Sequence, residues 1–315
     1  MRFGLASGIL WGLDTVILGI ALSLAPFAGT AEAAAFAAIA SSFLHDALCA
    51  GWLFLYMLVR GRLGDTLRAL KTCSGLVVIA GALLGGPIGM TGYVLAINNI
   101  GAAPTAIISS FYPAFGALLS FALLKERMRP SQLVALGVGL AGIMAMGIIS
   151  AEDTTSGNAA LGLFGACLTV VGWGSEAVLC AWGMRDDAVD NETALQIRET
   201  TSALAYAVAV LPLLGAWPFT ASAAPSVATG VVALSALAGT ASYLFYYKGI
   251  SRIGAARAMA LNVSYSAWAV AFGFVLQGTV PSPASVVCCV VILAGTVLAA
   301  SDWNELFGRK CHGQK

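Results

Sequence analysis

Charge is what this chain has least of. Of its 315 residues only 10% are Asp, Glu, Lys or Arg, against about 25% in an ordinary soluble domain. With 59% hydrophobic residues and a mean hydropathy of +0.88, that shortage excludes a water-soluble globule. It describes a polytopic membrane protein with almost no extramembrane mass. The chain has no Gly-rich loop ending in Gly-Lys-Ser or Gly-Lys-Thr, so ATP is not expected to drive its work. Its cysteines (Cys49, Cys73, Cys167, Cys180, Cys288, Cys289 and Cys311) lie mostly in apolar segments at no metal-like spacing. They read as small apolar side chains, not as metal ligands or disulfides, and neither metal nor cofactor is expected. No nucleophile is paired with a base in the way an enzyme would need. The net charge of +1 names no partner, and no nucleic acid is expected. A cleavable signal peptide is also missing, because the first apolar run continues past any small-residue cleavage site and reads as a spanning helix.

What the chain does have is long apolar runs. A window of about 20 residues places ten of them, near 3–25, 34–58, 74–97, 102–124, 131–150, 159–183, 193–215, 226–249, 255–277 and 284–301. Pro26, Pro104, Pro130, Gly157, Pro218, Pro225, Pro281 and Pro283 mark the short connections between them. Spanning segments must satisfy their backbone internally, so a helical bundle is the expected architecture. The basic residues orient it. Arg2; Arg60, Arg62, Arg68 and Lys71; Lys125, Arg127 and Arg129; Arg185; Lys248, Arg252 and Arg257; and Arg309, Lys310 and Lys315 all fall on one side. The opposite loops carry no Lys or Arg. The positive-inside rule makes the basic side cytoplasmic, with both termini there. Arg198 alone lies within a span.

The two halves of the chain resemble each other. Residues 93–142 fall on 246–295 without a gap, matching Ile97 to Ile250, Gly101-Ala102-Ala103 to Gly254-Ala255-Ala256, Tyr112 to Tyr265 and Pro130 to Pro283. The same register pairs His45-Asp46 with Arg198-Glu199, and a slightly longer offset pairs Trp11-Gly12 with Trp173-Gly174 and Asp14 with Glu176. Each half holds an odd number of helices, so the second must enter the membrane upside down. Residues 1–150 and 157–301 are thus predicted to be inverted five-helix repeats, followed by a tail over 302–315. Inverted repeats are the signature of alternating-access transporters, with the substrate site near the midplane.

The ionisable side chains inside the spans are Asp14, His45, Asp46, Glu176, Arg198 and Glu199. An acid at a helix centre costs about 2.5–3.5 kcal/mol even on the gentler insertion scales, so each needs a partner, a proton or a visiting cation. Glu176 shares a helical face with Trp173, three residues earlier. An aromatic face beside a buried anion suits an organic cation. Asp14 fits either a hydrogen-bonded structural acid or a second acid for coupling. His45 fits either a proton relay or a packing residue. Neighbours on a helix point about 100° apart, so neither His45-Asp46 nor Arg198-Glu199 is expected to pair with itself. Arg198 is expected to neutralise an acid, Glu176 or Glu199, in a structural or gating network.

Aromatic residues complete the pattern. Tyr243, Tyr246 and Tyr247 follow helical spacing, as do Asn262, Tyr265 and Trp268. An interfacial belt is the plainer account for Tyr246 and Tyr247, whereas Trp11, Trp173 and Trp268 lie too deep for one. Gly81 and Gly85-Gly86-Pro87-Ile88-Gly89 are expected to break the third helix, either for close packing or as a bend that moves.

These residues resemble the EamA branch of the drug/metabolite transporter superfamily, through the repeat and through Tyr112-Pro113 followed by Lys125-Glu126-Arg127. Within it, Ser7 to Leu13, His45-Asp46, Gly81 to Met90, Gly172-Trp173-Gly174-Ser175-Glu176, Ile197-Arg198, Ser242-Tyr243-Leu244, Tyr246-Tyr247 and Leu261 to Tyr265 with Trp268 resemble the LicB-type choline transporters. The resemblance implies proton-driven import of choline in bacteria, for attachment as phosphocholine to surface polysaccharides. It also implies a cation box of Trp11, Trp173, Glu176 and a tyrosine such as Tyr243. Asp14 departs from that pattern, in which the position can be apolar.

The expectation is therefore a ten-helix secondary transporter of choline or a related quaternary ammonium in the bacterial inner membrane. Substrate contacts are expected from Trp11, Tyr112, Trp173, Glu176, Tyr243, Tyr246, Asn262, Tyr265 and Trp268. Asp14, His45, Asp46, Arg198 and Glu199 are expected to serve proton coupling or gating. The partners are a small cation, protons and the lipid bilayer. The alternative is an EamA-type exporter of amino acids or other small metabolites.

Overall fold

A computed structural model describes residues 1–149, 158–185 and 189–301. Gly157, Cys311 and the 302–315 tail with its basic residues lie outside the described residues. Ten helices among the described residues are long and apolar enough to cross a membrane. They are α1 (Arg2–Leu22), α2 (Ala31–Val59), α3 (Cys73–Ile100), α4 (Pro104–Leu124), α5 (Pro130–Ile149), α6 (Ala159–Gly183), α7 (Asn191–Leu214), α8 (Val227–Ile253), α9 (Ala255–Gln277) and α10 (Pro283–Ala300). Short polar side chains start several of them by accepting an otherwise orphaned backbone N–H. Thr30 accepts from Ala33, Thr72 from Gly75, Asn158 from Leu161 and Asp190 from Thr193, at 2.8–3.2 Å.

The predicted spans recur with local departures. Helix α1 stops at Leu22 and not near 25, because the residue before Pro26 is excluded from helical geometry. Ser23 closes the end by donating to the Gly19 and Ile20 carbonyls. Two connections carry short helices of their own, Leu63–Ala69 and Trp217–Ala223. The expected break in the third helix does not occur. Residues Leu84–Gly89 form a π-helical segment that joins flanking α-helix without interruption. Widening the turn accommodates Pro87, which cannot donate a backbone hydrogen bond.

The likeness between the halves extends to backbone detail. Gly101 (φ 84°, ψ 165°) and Gly254 (φ 86°, ψ 161°) adopt nearly the same conformation, one essentially reserved for glycine. Each is followed by an eight-residue helix, Ala102–Ser109 or Ala255–Asn262, then a kink and a thirteen-residue helix, Tyr112–Leu124 or Tyr265–Gln277. Left-handed residues, Lys125 and Gly278, end these helices, and Pro130 and Pro283 open the next.

Small residues set the depth of contact. A Cβ added at Gly295 would lie 2.4 Å from the Gly139 nitrogen, so α5 and α10 meet backbone to backbone. Gly4, Gly8 and Gly12 let α1 settle on Leu261, Ser264 and Trp268 of α9. That contact presents Trp11 to Tyr265. The largest apolar cluster, including Leu53, Met57, Val78, Val178, Leu195 and Ile250, fills the bundle at the end rich in Lys and Arg, hereafter the basic end.

Candidate functional site

A cavity of about 310 Å³ lies at mid-depth among α1, α2, α3, α4, α6, α7, α8 and α9. It runs along α1 from Trp11 to Leu22, away from the basic end, and its lining stops at Ala177 and Tyr247 on the other side. Below it the basic end is filled by the apolar cluster. Arg62 adds a clasp there, hydrogen-bonding Asp190 and reaching Glu192 at 2.5 Å and Asp65 at 2.8 Å. Arg62, with Arg68, holds Asp65 below the usual carboxylate range; the Thr193 backbone amide, with Arg62, does the same for Asp190; and these carboxylates push Arg62 above its own range.

One wall of the cavity is ionic. Arg198 Nε lies 2.7 Å from Glu176 Oε1, and its Nη1 lies 2.9 Å from Glu199 Oε2 and 3.8 Å from Asp46 Oδ2. Its guanidinium also covers the Tyr243 ring, 4.8 Å from the centroid. Asp46 accepts from Ser202 at 2.6 Å, and its other oxygen is 3.6 Å from His45 Nδ1. His45 Nε2 is 3.1 Å from Asp14 Oδ1, an atom that also accepts from Ser235. A continuous polar chain thus links Asp14 on α1, His45 and Asp46 on α2, Arg198 on α7 and Glu176 on α6. Three carboxylates line the cavity, with one guanidinium and one imidazole among them. Even with His45 protonated, negative charge is in surplus.

The expectation that neither dyad pairs with itself is therefore corrected. Arg198 bonds Glu199, and His45 sits beside Asp46. The reason is reach: both side chains bend along the helix surface until the large angle between their Cα–Cβ bonds no longer separates their ends.

A second wall is aromatic. Trp173 meets Trp11, Tyr93 and Tyr112 at centroid distances of 6.5, 5.4 and 5.8 Å, and Trp11 stacks on Tyr265 at 4.1 Å. Tyr112 donates to Asn262, which donates to Ser7 at 2.6 Å. Glycines make room for this wall. The Glu176 carboxylate lies against Gly85 so closely that an added Cβ would be 1.6 Å from Oε2. Trp173 lies against Gly89 of the same π-helical segment.

Most predicted site residues converge here: Trp11, Asp14, His45, Asp46, Tyr112, Trp173, Glu176, Arg198, Tyr243, Tyr246, Asn262 and Tyr265 all line the cavity. Trp268 and Glu199 do not. Trp268 backs onto Gly12 of α1, with Nε1 buried and without a hydrogen-bond partner among the described residues. Glu199 is fully buried behind Arg198, one oxygen bonded to it and the other unpartnered. Tyr246 and Tyr247 are buried against the cavity and form no interfacial belt. Tyr93, Tyr206 and Tyr247 line the cavity too, although they were not singled out as contacts. Tyr93 was findable, since it is the repeat mate of Tyr246. Ser235 on Asp14 and Ser202 on Asp46 carried no signal, because a serine in an apolar run is usually bonded within its own helix.

Three comparisons bear on this geometry. The model of the EamA-like transporter family matches the chain twice, over residues 1–148 and 160–301. Protein LicB of Haemophilus influenzae is 27% identical over 216 residues, 69% of this chain and 72% of that protein. A protein of known crystal structure superposes with a TM-score of 0.72 at 22% identity, covering 95% of each chain. That likeness concerns the fold.

Proposed function

The chain belongs to the EamA-like transporter family, and from that premise we propose that it is a proton-coupled importer of choline or a related quaternary ammonium in the bacterial inner membrane. One observation carries the reading: aromatic and carboxylate-bearing walls enclose one open cavity. A hydrated amine or a zwitterion would leave one of those walls unused. A methylated ammonium uses both, because it binds ring faces without needing hydrogen bonds. A cation–π contact in a dry site contributes up to about 2 kcal/mol.

In this mechanism the ammonium sits between Trp11, Trp173, Tyr112 and Tyr265, without Trp268. Its charge is balanced by Glu176, which Arg198 neutralises while the site is empty. Asp14, His45 and Asp46 supply the proton-dependent part of the charge balance, since imidazole is the side chain that changes charge near neutral pH. The positive-inside rule puts the basic end in the cytoplasm. The cavity then faces outward, and opening to the cytoplasm requires the Arg62 clasp and the apolar cluster beneath the site to part. The repeats at 1–150 and 157–301 would rock about the site.

Radiolabelled choline uptake into proteoliposomes with an imposed pH gradient tests the reading, with Glu176→Gln beside the wild type. Uptake by the wild type that is lost in the variant is expected; equal uptake removes Glu176 from the mechanism. Amino acid export is the other family-compatible activity, and Arg198 in the cavity wall is its one attraction. A melting temperature raised by aromatic amino acids and not by choline would favour export over choline transport.

A further inference from the structure

A larger hollow lies outside the transport site. Ala114, Ala117, Leu118 and Phe121 of α4 and Leu133, Leu136, Gly137 and Leu140 of α5 enclose about 660 Å³ on the outer surface of the bundle. Leu118, Phe121 and Leu133 are 72, 56 and 49% exposed, so in a bilayer this trough faces hydrocarbon. It exists because α5 leans on α10 through Gly139 and Gly142, leaving α4 standing apart. Gly137 deepens it, since a Cβ there would meet nothing within 4 Å.

At the trough's mouth, in the α4–α5 turn, stand Glu126, Arg127 and Met128. The Glu126 carboxylate is already engaged, accepting from the Ala255 and Ala256 backbone amides at 3.3 Å. Arg127 is exposed, rests 5.8 Å from the Phe121 ring, and has no carboxylate partner among the described residues. A cation without a counterion therefore caps an apolar trough at the depth of lipid headgroups.

The second repeat supplies an internal control. In its register Gly137 becomes Val290 and Arg127 becomes Val280. There the helix halves close on each other, with Cys289 Sγ 3.8 Å from the Ala267 carbonyl. The cation is lost on the side where no Lys or Arg occurs, and the glycine that deepens the trough is replaced by valine.

We propose that the α4–α5 trough is a binding site for one anionic phospholipid, with an acyl chain along Leu118, Phe121, Leu133 and Gly137 and the phosphate on Arg127. The apolar walls accept the chain of any phospholipid; the uncompensated guanidinium selects a headgroup with net negative charge. Since α4 carries Tyr112 into the transport cavity, the lipid holds the outer face of a helix whose inner face meets substrate.

The test is native mass spectrometry of the full-length, delipidated protein titrated with phosphatidylglycerol or phosphatidylcholine. One basic residue near a membrane surface favours an anionic headgroup by a factor of about five, and the wild type should show that preference at a single site. Arg127→Gln should bind both lipids equally. Gly137→Leu should weaken both, because it fills the trough at a position with open space around it. Arg252→Gln, an exposed cation elsewhere on the basic end, should change neither. Retention of the preference in Arg127→Gln, or unchanged binding in Gly137→Leu, overturns the proposal. So does a protein dimer that Gly137→Leu dissolves, which would make a second copy the occupant.

Discussion

The two repeats supply equivalent residues to the two sides of one cavity, and the chemistry on the two sides differs. Asp14 on α1 pairs with His45 on α2 at 3.1 Å; their mates, Glu176 on α6 and Arg198 on α7, pair at 2.7 Å. Trp11 stacks on Tyr265, while the equivalent Trp173 and Tyr112 meet edge to face. The backbone arrangement has been kept and the basic partner changed. A guanidinium stays charged at any working pH, so the second-repeat pair is permanent. An imidazole, unlike a guanidinium, can give up its proton, so the first-repeat pair can respond to protons. Under the proposed mechanism, one side holds the cation and the other side couples its passage to pH.

Breaking the permanent pair should have the largest effect. Arg198→Gln leaves Glu176, Glu199 and Asp46 around an uncharged group, and removing one partner of a buried ion pair costs about 3–5 kcal/mol. A large fall in melting temperature is expected, part of it restored in Arg198→Gln/Glu199→Gln. The substitution His45→Gln on the other side should cost much less stability and should instead flatten the pH dependence of uptake. If both variants melt alike, the asymmetry has no energetic content.

Under the proposed mechanism, next in size is loss of the substrate's countercharge. Truncating one partner of a buried charge pair costs about 2–5 kcal/mol of binding, so choline affinity should fall sharply in Glu176→Gln. Asp14→Asn should affect affinity less than it affects proton dependence, as measured by uptake against external pH. Gly85→Ala sharpens the same point without touching a charge. The new methyl collides with the Glu176 carboxylate, and overpacking of this kind costs about 1–3 kcal/mol. Reduced choline binding, with a melting temperature lowered by several degrees, is the expected result, read by calorimetry.

The smallest effect belongs to the clasp at the basic end. Arg62 lowers the pKa values of Asp65 and Asp190, so its contribution to closing that end is complete above the ordinary carboxylate range. It is lost as pH falls through the lowered folded-state values. Accessibility of a cysteine placed at Ala69, which is fully buried, to a membrane-impermeant thiol reagent should increase modestly at low pH. In Arg62→Gln the increase should be present already at neutral pH.

Much of the fold was legible because a bilayer leaves few choices. Apolar runs of spanning length must be helices, and matched residues in the two halves exposed the repeat before any coordinate. Asp14, Asp46 and Glu176 stood out in the sequence because a carboxylate at that depth needs a partner, a proton or a cation, and all three line the cavity. Other features depended on distances between helices far apart in sequence. Trp268 follows the same spacing as Tyr265, yet a few degrees of rotation turn it onto Gly12. Tyr206 entered the cavity from α7 through packing. The π-helical turn at Leu84–Gly89 replaced the predicted break because a wider helix could still satisfy its backbone around Pro87.

By itself the sequence determined that the chain crosses a membrane ten times, that its halves are related, and which buried charges need partners. These follow from local rules: the cost of bare backbone in lipid, the period of a helix, and the expense of an isolated ion. The tertiary structure alone decided who partners whom. Arg198 could have met any of several acids, and His45 could have faced lipid or protein. Those outcomes turn on interhelical approach at glycines such as Gly85 and Gly239, where a single methyl group would collide with Glu176 or crowd Asp14 and His45.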